Sequence, residues 1–182
     1  REALAADAAE PGYPTTVGTP ALRQAAVGAL ARRYGVTGLT TDAVLPAIGT
    51  KELIAGLPSQ LGLGPGHTVV VPEVAYPTYE VSALLAGARA VRADSTVALG
   101  PMNPALMFIN SPSNPTGKVL GVDHLRKVVD WARERGTVLV SDEGMDGLAV
   151  HAVQDAGDQL DPPDLLRRGA RARTAAQRQL LL

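Results

Sequence analysis

The stretch Ala105-Leu106-Met107-Phe108-Ile109-Asn110-Ser111-Pro112-Ser113-Asn114-Pro115-Thr116-Gly117 joins two kinds of sequence. Residues 105–110 are apolar at nearly every position, so a strand there is buried on both faces, as in a parallel sheet covered by helices on each side. Residues 111–117 are turn formers, with prolines that fix the backbone and an asparagine and glycine that accept unusual dihedrals. In an open parallel sheet the ligand crevice lies outside the carboxyl ends of the strands. A buried strand running into a polar turn therefore predicts both the sheet and the edge that carries its chemistry.

The same rhythm extends outward. Residues 68–71 are a β-branched strand, residues 90–93 a shorter one, and residues 137–140 a largely apolar one that ends at Ser141-Asp142-Glu143. Helical segments alternate with them. Thr19 reads as an N-cap with Pro20 at the first helical position, followed by Leu22, Ala26, Ala29, Leu30 and Arg33, with Gly35 as the stop. The apolar run from Val44 to Ile48 leads into Gly49-Thr50, and Pro46 argues against a regular strand there. A helix with Leu53, Ile54, Leu57 and Leu61 on one face follows, capped by Thr50 and kinked or shortened by Pro58. Residues 79–86 are helical in character. Asp123 is expected to cap a helix carrying Leu125, Val128, Val129 and Ala132, closed by Gly136. Over residues 1–143 this alternation predicts a three-layer α/β/α domain with a mostly parallel sheet, incomplete, with exposed sheet edges. Residues 144–182 break the rhythm. Asp161-Pro162-Pro163-Asp164, the arginine-rich residues 167–173 and the closing leucines read as an atypical, solvated tail.

Composition narrows the function. The formal net charge of −1 argues against nucleic acid or a polybasic membrane contact as the main partner. No apolar stretch approaches the roughly 20 residues of a membrane span. The chain has no cysteine, which excludes disulfide scaffolds and cysteine metal sites. His67, His124 and His151 are scattered without ligand spacing, so no metal is expected. The first residues, Arg1-Glu2-Ala3-Leu4, lack a signal-peptide pattern and a starting methionine; a cytoplasmic protein whose segment begins inside a longer chain is expected. Gly62-Leu63-Gly64-Pro65-Gly66 resembles a dinucleotide fingerprint only superficially, because it precedes a strand instead of following one.

Five segments, in order, resemble the pyridoxal-phosphate (PLP) aminotransferases of class I/II. Asn110-Ser111-Pro112 followed by Asn114-Pro115-Thr116-Gly117 resembles the family's asparagine loop, which implies that Asn114 donates to the phenolic oxygen of PLP. Val138-Leu139-Val140-Ser141-Asp142 resembles its strand-end aspartate, which implies that Asp142 keeps the pyridine nitrogen protonated. Gly49-Thr50-Lys51-Glu52 is similar to its phosphate-binding turn, a helix start where free N–H groups favour an anion. Tyr76-Pro77-Thr78-Tyr79 is similar to its Tyr-Pro-x-Tyr segment, with Tyr76 stacking on the ring. Gly12-Tyr13-Pro14, with Gly18 and Leu22-Arg23, resembles its opening, in which the tyrosine reaches the partner subunit's cofactor; Tyr13 would take that role in a homodimer.

The resemblance spans residues 11–143 and is nearest to the succinyldiaminopimelate aminotransferases of actinobacteria, through residues 12–16, 48–54 and 110–114. It implies transfer of an amino group between an amino acid and a 2-oxo acid, glutamate being the usual donor, in lysine and diaminopimelate synthesis. Two departures stand against activity. The family's Asp-Glu-x-Tyr tyrosine is replaced by Met145, and the only lysines, Lys51, Lys118 and Lys127, all precede Asp142. None suits the lysine that bonds the cofactor, so no catalytic residue is assigned. The abrupt change at Gly144 is read as out-of-frame or fused sequence. A non-catalytic fragment or scaffold is the competing expectation.

Overall fold

The computed structural model describes residues 2, 5, 12, 13, 15–143 and 151–153. They form two compact units, residues 1–46 and 47–182.

The first unit is built on helix α1, Pro20–Tyr34. The Thr19 hydroxyl accepts from the Leu22 amide at 3.2 Å, Pro20 opens the helix, and Gly35 closes it in the left-handed conformation at φ 68°. Arg32 and Arg33 in the last turn suit the negative end of the helix dipole. A 3-10 turn, Thr41–Ala43, follows, and Asp42 pairs with Arg23 at 3.5 Å. Gly18 has φ 78°, and a Cβ there would lie 2.6 Å from the Pro46 ring. Glycine is required on both counts.

The second unit runs α2 (Thr50–Gln60), β1 (Thr68–Val71), α3 (Thr78–Leu85), β2 (Arg89–Arg92), α4 (Thr96–Leu99), β3 (Leu106–Asn110), α5 (Val122–Arg135), β4 (Val138–Asp142) and β5 (His151–Val153). The sheet order is β2-β1-β3-β4-β5. The first four strands are parallel, and β5 pairs antiparallel to β4, with Val140 opposite Ala152.

Alternation along the strands separates two cores. Val69, Val71, Leu106, Phe108 and Val140 pack with Ile54 of α2 and with Tyr79 and Ala83 of α3. Val70, Met107, Ile109 and Leu139 pack with Leu99 of α4 and with Val128, Trp131 and Ala132 of α5. Helices therefore cover both faces, and the three-layer α/β/α arrangement follows from strands such as β3 that are buried along their whole length. Full burial of each large apolar side chain stabilises the fold by about 1.5–3 kcal/mol.

Several boundaries differ from expectation. The cap of α5 is Gly121, in extended conformation and without a side-chain bond. Asp123 sits inside the first turn, where its charge meets the helix dipole and pairs with Arg126 at 3.3 Å. Likewise the cap of α2 is Gly49, with Thr50 the first helical residue. Pro58 neither ends nor truncates α2 at its own position. It is buried in the last turn of a helix that continues to Gln60, and its carbonyl accepts from the Leu63 amide at 3.0 Å. The glycines at 62, 64 and 66 precede β1, as expected. The 3-10 turn, α4 and β5 had no counterpart in the sequence reading. Strand β5 lies within the stretch read as a tail; Met145 and the rest of residues 144–182 fall outside the described residues.

Candidate functional site

Strands β3 and β4 end level with one another, with Asn110 opposite Asp142. Phe108 and Val140 belong to the core beneath α2 and α3. Asn110 and Asp142 stand two positions further along their strands, so their side chains project to that same face. Both are polar and nearly enclosed, at 8% and 9% exposure. Burial of such groups is tolerated only when they are hydrogen-bonded. The Asn110 amide donates to the Asp142 carbonyl at 2.9 Å, and its side-chain oxygen accepts from the Asn114 backbone amide at 2.6 Å. The Ser111 amide reaches the same Asp142 carbonyl at 3.2 Å. The asparagine loop is thus tied directly to the end of β4. Within that loop Gly117 donates to the Ser113 carbonyl at 2.7 Å, and the peptide bonds before Pro112 and Pro115 are cis.

Helix α3 supplies Tyr79, whose hydroxyl donates to the Asp142 carboxylate at 2.5 Å. The Tyr79 ring is 2% exposed and lies 5.2 Å from the Phe108 ring at 49°. Burial first, and then the hydrogen bond and charge of Asp142, push the phenol far above the usual tyrosine range. At neutral pH it is a proton donor to Asp142.

Helix α2 points its N-terminus at the same edge. No side chain caps it, and Thr50 and Lys51 occupy its first turn. The orphan amides of a helix start, with the positive end of the dipole, make this a favourable place for an anion. Glu52 lies in that turn too, so part of the dipole's field is already answered by a carboxylate. Gly49 is not held by sterics: its backbone is extended, and a Cβ there would meet only the end of the flexible Glu52 side chain at 2.7 Å.

Between these elements lies a cavity of about 230 Å³, lined by Thr50, Lys51, Ile54, Tyr76, Thr78, Tyr79, Asn110, Asn114 and Asp142. Of the seven residues singled out from sequence, Thr50, Lys51, Tyr76, Asn114 and Asp142 therefore meet in one place. Gly49 directly precedes them as the cap of α2. Tyr13 lies in the first unit, fully exposed to solvent. A family model, Aminotransferase class I and II, matches residues 2–161.

The chain belongs to the class I and II aminotransferases.

Aminotransferases of this family depend on PLP. The chain is 67% identical over 148 residues to a probable aminotransferase of Mycobacterium tuberculosis, covering 81% of this chain and 35% of that protein. It is 59% identical over 143 residues to the 4-dedimethylamino-4-oxo-anhydrotetracycline transaminase OxyQ of Streptomyces rimosus, covering 79% and 40%. Further relatives, 30–37% identical, are LL-diaminopimelate aminotransferases. An aminotransferase crystal structure from Neisseria meningitidis superposes with a TM-score of 0.69 at 31% identity, over 78% of this chain and 40% of that one. The chain spans about two fifths or less of the length of the two most similar of these relatives.

Two residues lining this cavity were given no role from sequence. Tyr79 closed the Tyr-Pro-x-Tyr segment with no role assigned to it. Asn110 ended its strand without a function. The period-two alternation from Phe108 would have placed Asn110 on the cavity side; only tertiary contact reveals that Tyr79 meets Asp142. Among the described residues no helix is long and apolar enough to cross a membrane, and no cluster of three metal-ligating side chains occurs.

Proposed function

We propose that the protein of which this sequence is part is a PLP-dependent aminotransferase, moving an amino group between an amino acid and a 2-oxo acid. The observation that carries this reading is the convergence of Thr50, Tyr76, Asn114 and Asp142 on one cavity. The donor set fits the cofactor: an anion-favouring helix start, an aromatic face, a side-chain amide and a nearly buried carboxylate match a phosphate, a ring, a phenolic oxygen and a pyridine nitrogen. When bound, PLP supplies an electron sink for bond breaking beside the amino group.

The protein's own residues bind and orient. The first turn of α2 and the Thr50 hydroxyl take the phosphate, with Lys51 adding positive charge. Tyr76, 41% exposed in this structure, has ring surface left to cover a planar ligand, a contact worth roughly 0.5–1.5 kcal/mol beyond area burial. Asn114 donates to the phenolic oxygen, and Asp142 holds a proton on the ring nitrogen. Tyr13 would serve the partner subunit's site in a homodimer. A cytoplasmic location is part of the same proposal.

For substrate we propose N-succinyl-diaminopimelate with glutamate and 2-oxoglutarate, on the resemblance of residues 12–16, 48–54 and 110–114, and in keeping with the diaminopimelate aminotransferases among the relatives. The 59% identity to OxyQ favours a second reading, amination of a ring ketone. The lysines of the sequence are Lys51, Lys118 and Lys127; Lys51 lines the cavity, where its charge is assigned to the phosphate. Titration with PLP, followed by borohydride trapping and peptide mapping, tests the reading. Saturable binding lost in Asp142→Ala is the expected result; binding unaffected by that change would overturn it.

A further inference from the structure

Asp142 is the group on which recognition of a ring nitrogen depends, yet a carboxylate on a strand end has freedom about two side-chain bonds. Its backbone is held: the Asp142 carbonyl accepts from both Asn110 at 2.9 Å and Ser111 at 3.2 Å. Its side chain is held from the opposite direction by helix α3. The Tyr79 hydroxyl donates to Oδ2 at 2.5 Å across a sequence separation of 63 residues. The phenol itself cannot swing away, because its ring is 2% exposed and packs on Phe108.

We propose that Tyr79 is a positioning residue that aims the Asp142 carboxylate into the cavity, so that the site recognises a cationic ring nitrogen instead of any flat phosphorylated ring. The proposal rests on the PLP reading above and adds a residue to it. A purely structural role would leave Tyr79 serving only to fill the space beneath α3, where a phenylalanine ring would do as well. The two roles separate cleanly, since Tyr79→Phe keeps the ring and its contact with Phe108 and removes only the donor. Because the ring is packed on Phe108 and its hydroxyl already donates to Oδ2, the carboxylate is oriented before a ligand arrives. Pre-organisation of this kind appears as discrimination between ligands more than as overall affinity.

The test uses the full chain and two probes that lack an aldehyde and so cannot react with lysines. They are pyridoxamine phosphate and its carbocyclic analogue, in which C–H replaces the ring nitrogen. Binding is followed by ligand fluorescence for the unaltered protein, Tyr79→Phe and Asp142→Asn. The unaltered protein is expected to prefer pyridoxamine phosphate, and Asp142→Asn to lose that preference. Tyr79→Phe should reduce the preference about tenfold, in line with the strength of a hydrogen bond to a charged group, while its affinity for the carbocyclic analogue and its melting temperature stay close to those of the parent. A parent that prefers pyridoxamine phosphate, with a Tyr79→Phe variant that retains the full preference, would overturn the role of Tyr79 and leave the cofactor site standing. A parent with no preference would overturn the cofactor reading and this proposal together. If Tyr79→Phe proves poorly folded, Phe108→Leu provides the second arm: it removes the ring against which Tyr79 packs and leaves the hydroxyl and Asp142 in place, so a reduced preference for pyridoxamine phosphate supports positioning by a fixed phenol, and a preference equal to the parent's overturns it.

Discussion

The side-chain amide of Asn110 bridges two chain segments, donating to the Asp142 carbonyl at 2.9 Å while its oxygen receives the Asn114 amide at 2.6 Å. One buried residue thus ties the loop after β3 to the end of β4. Removing it takes the acceptor from the Asn114 amide and leaves the Asp142 carbonyl with the Ser111 amide, in a nearly enclosed setting. We expect Asn110→Ala to destabilise the fold by about 1–3 kcal/mol. Urea denaturation read by circular dichroism measures this as a lower midpoint at unchanged slope, and an unchanged midpoint would show that water replaces the amide.

The Tyr79 phenol is held above its ordinary range by burial and by Asp142. Its pKa is higher in the folded chain than in the unfolded one, so the unfolded chain loses its proton first as pH rises. The stabilisation is complete below a pH of about 10, the unfolded value, and is lost progressively above it. In alkaline titration, the phenolate absorbance that separates the parent from Tyr79→Phe should emerge together with unfolding. Emergence of that signal while near-ultraviolet dichroism is intact would contradict the buried setting.

Phe108 is 1% exposed and packs on Tyr79 beneath the cavity. Phe108→Ala is expected to cost about 3–5 kcal/mol, from lost transfer energy and the void left behind. Calorimetry would register a large drop in melting temperature, whereas Val97→Ala, at a position 87% exposed, should be nearly silent.

Gly136 closes α5 at φ 62° with open space where a Cβ would stand. Nothing collides, so the penalty for Gly136→Ala is purely that of an L-residue in the left-handed region, about 1–2 kcal/mol. A loss well beyond that range in denaturant unfolding would mean a contact exists that the geometry lacks.

At the helix start, Thr50→Val removes a hydroxyl and preserves shape. Pyridoxamine phosphate affinity should fall about tenfold, the value of one hydrogen bond to a charged phosphate. Fluorescence titration at fixed ionic strength checks it, and the affinity of the unphosphorylated amine should not change.

Much of this was legible beforehand, and the reasons are physical. Strand β3 is buried throughout, so its unbroken apolar run announced a parallel sheet. Thr19, Pro20 and Gly35 punctuate α1 by local chemistry alone, and the helix obeys them. What failed were choices settled by neighbours. Asp123 is a good cap in isolation, but Gly121 already provides the extended backbone and leaves the aspartate in the first turn. Pro58 is a helix breaker in isolation and is accommodated near the end of α2, where its ring is buried. In the site, Thr50, Tyr76, Asn114 and Asp142 carried signals in their own segments. Tyr79 belonged to such a segment too, but its role was not legible, because its partner lies 63 residues away.

The level ending of β3 and β4 has a consequence for how the molecule is made. The cavity draws on positions from Thr50 to Asp142, so no half of the second unit contains a usable portion of it. Ligand capture must then report completed assembly, and a saturating ligand, by favouring only the finished state, would act as a chaperone in miniature: at a hundred times its dissociation constant it adds about 2.7 kcal/mol to the native side.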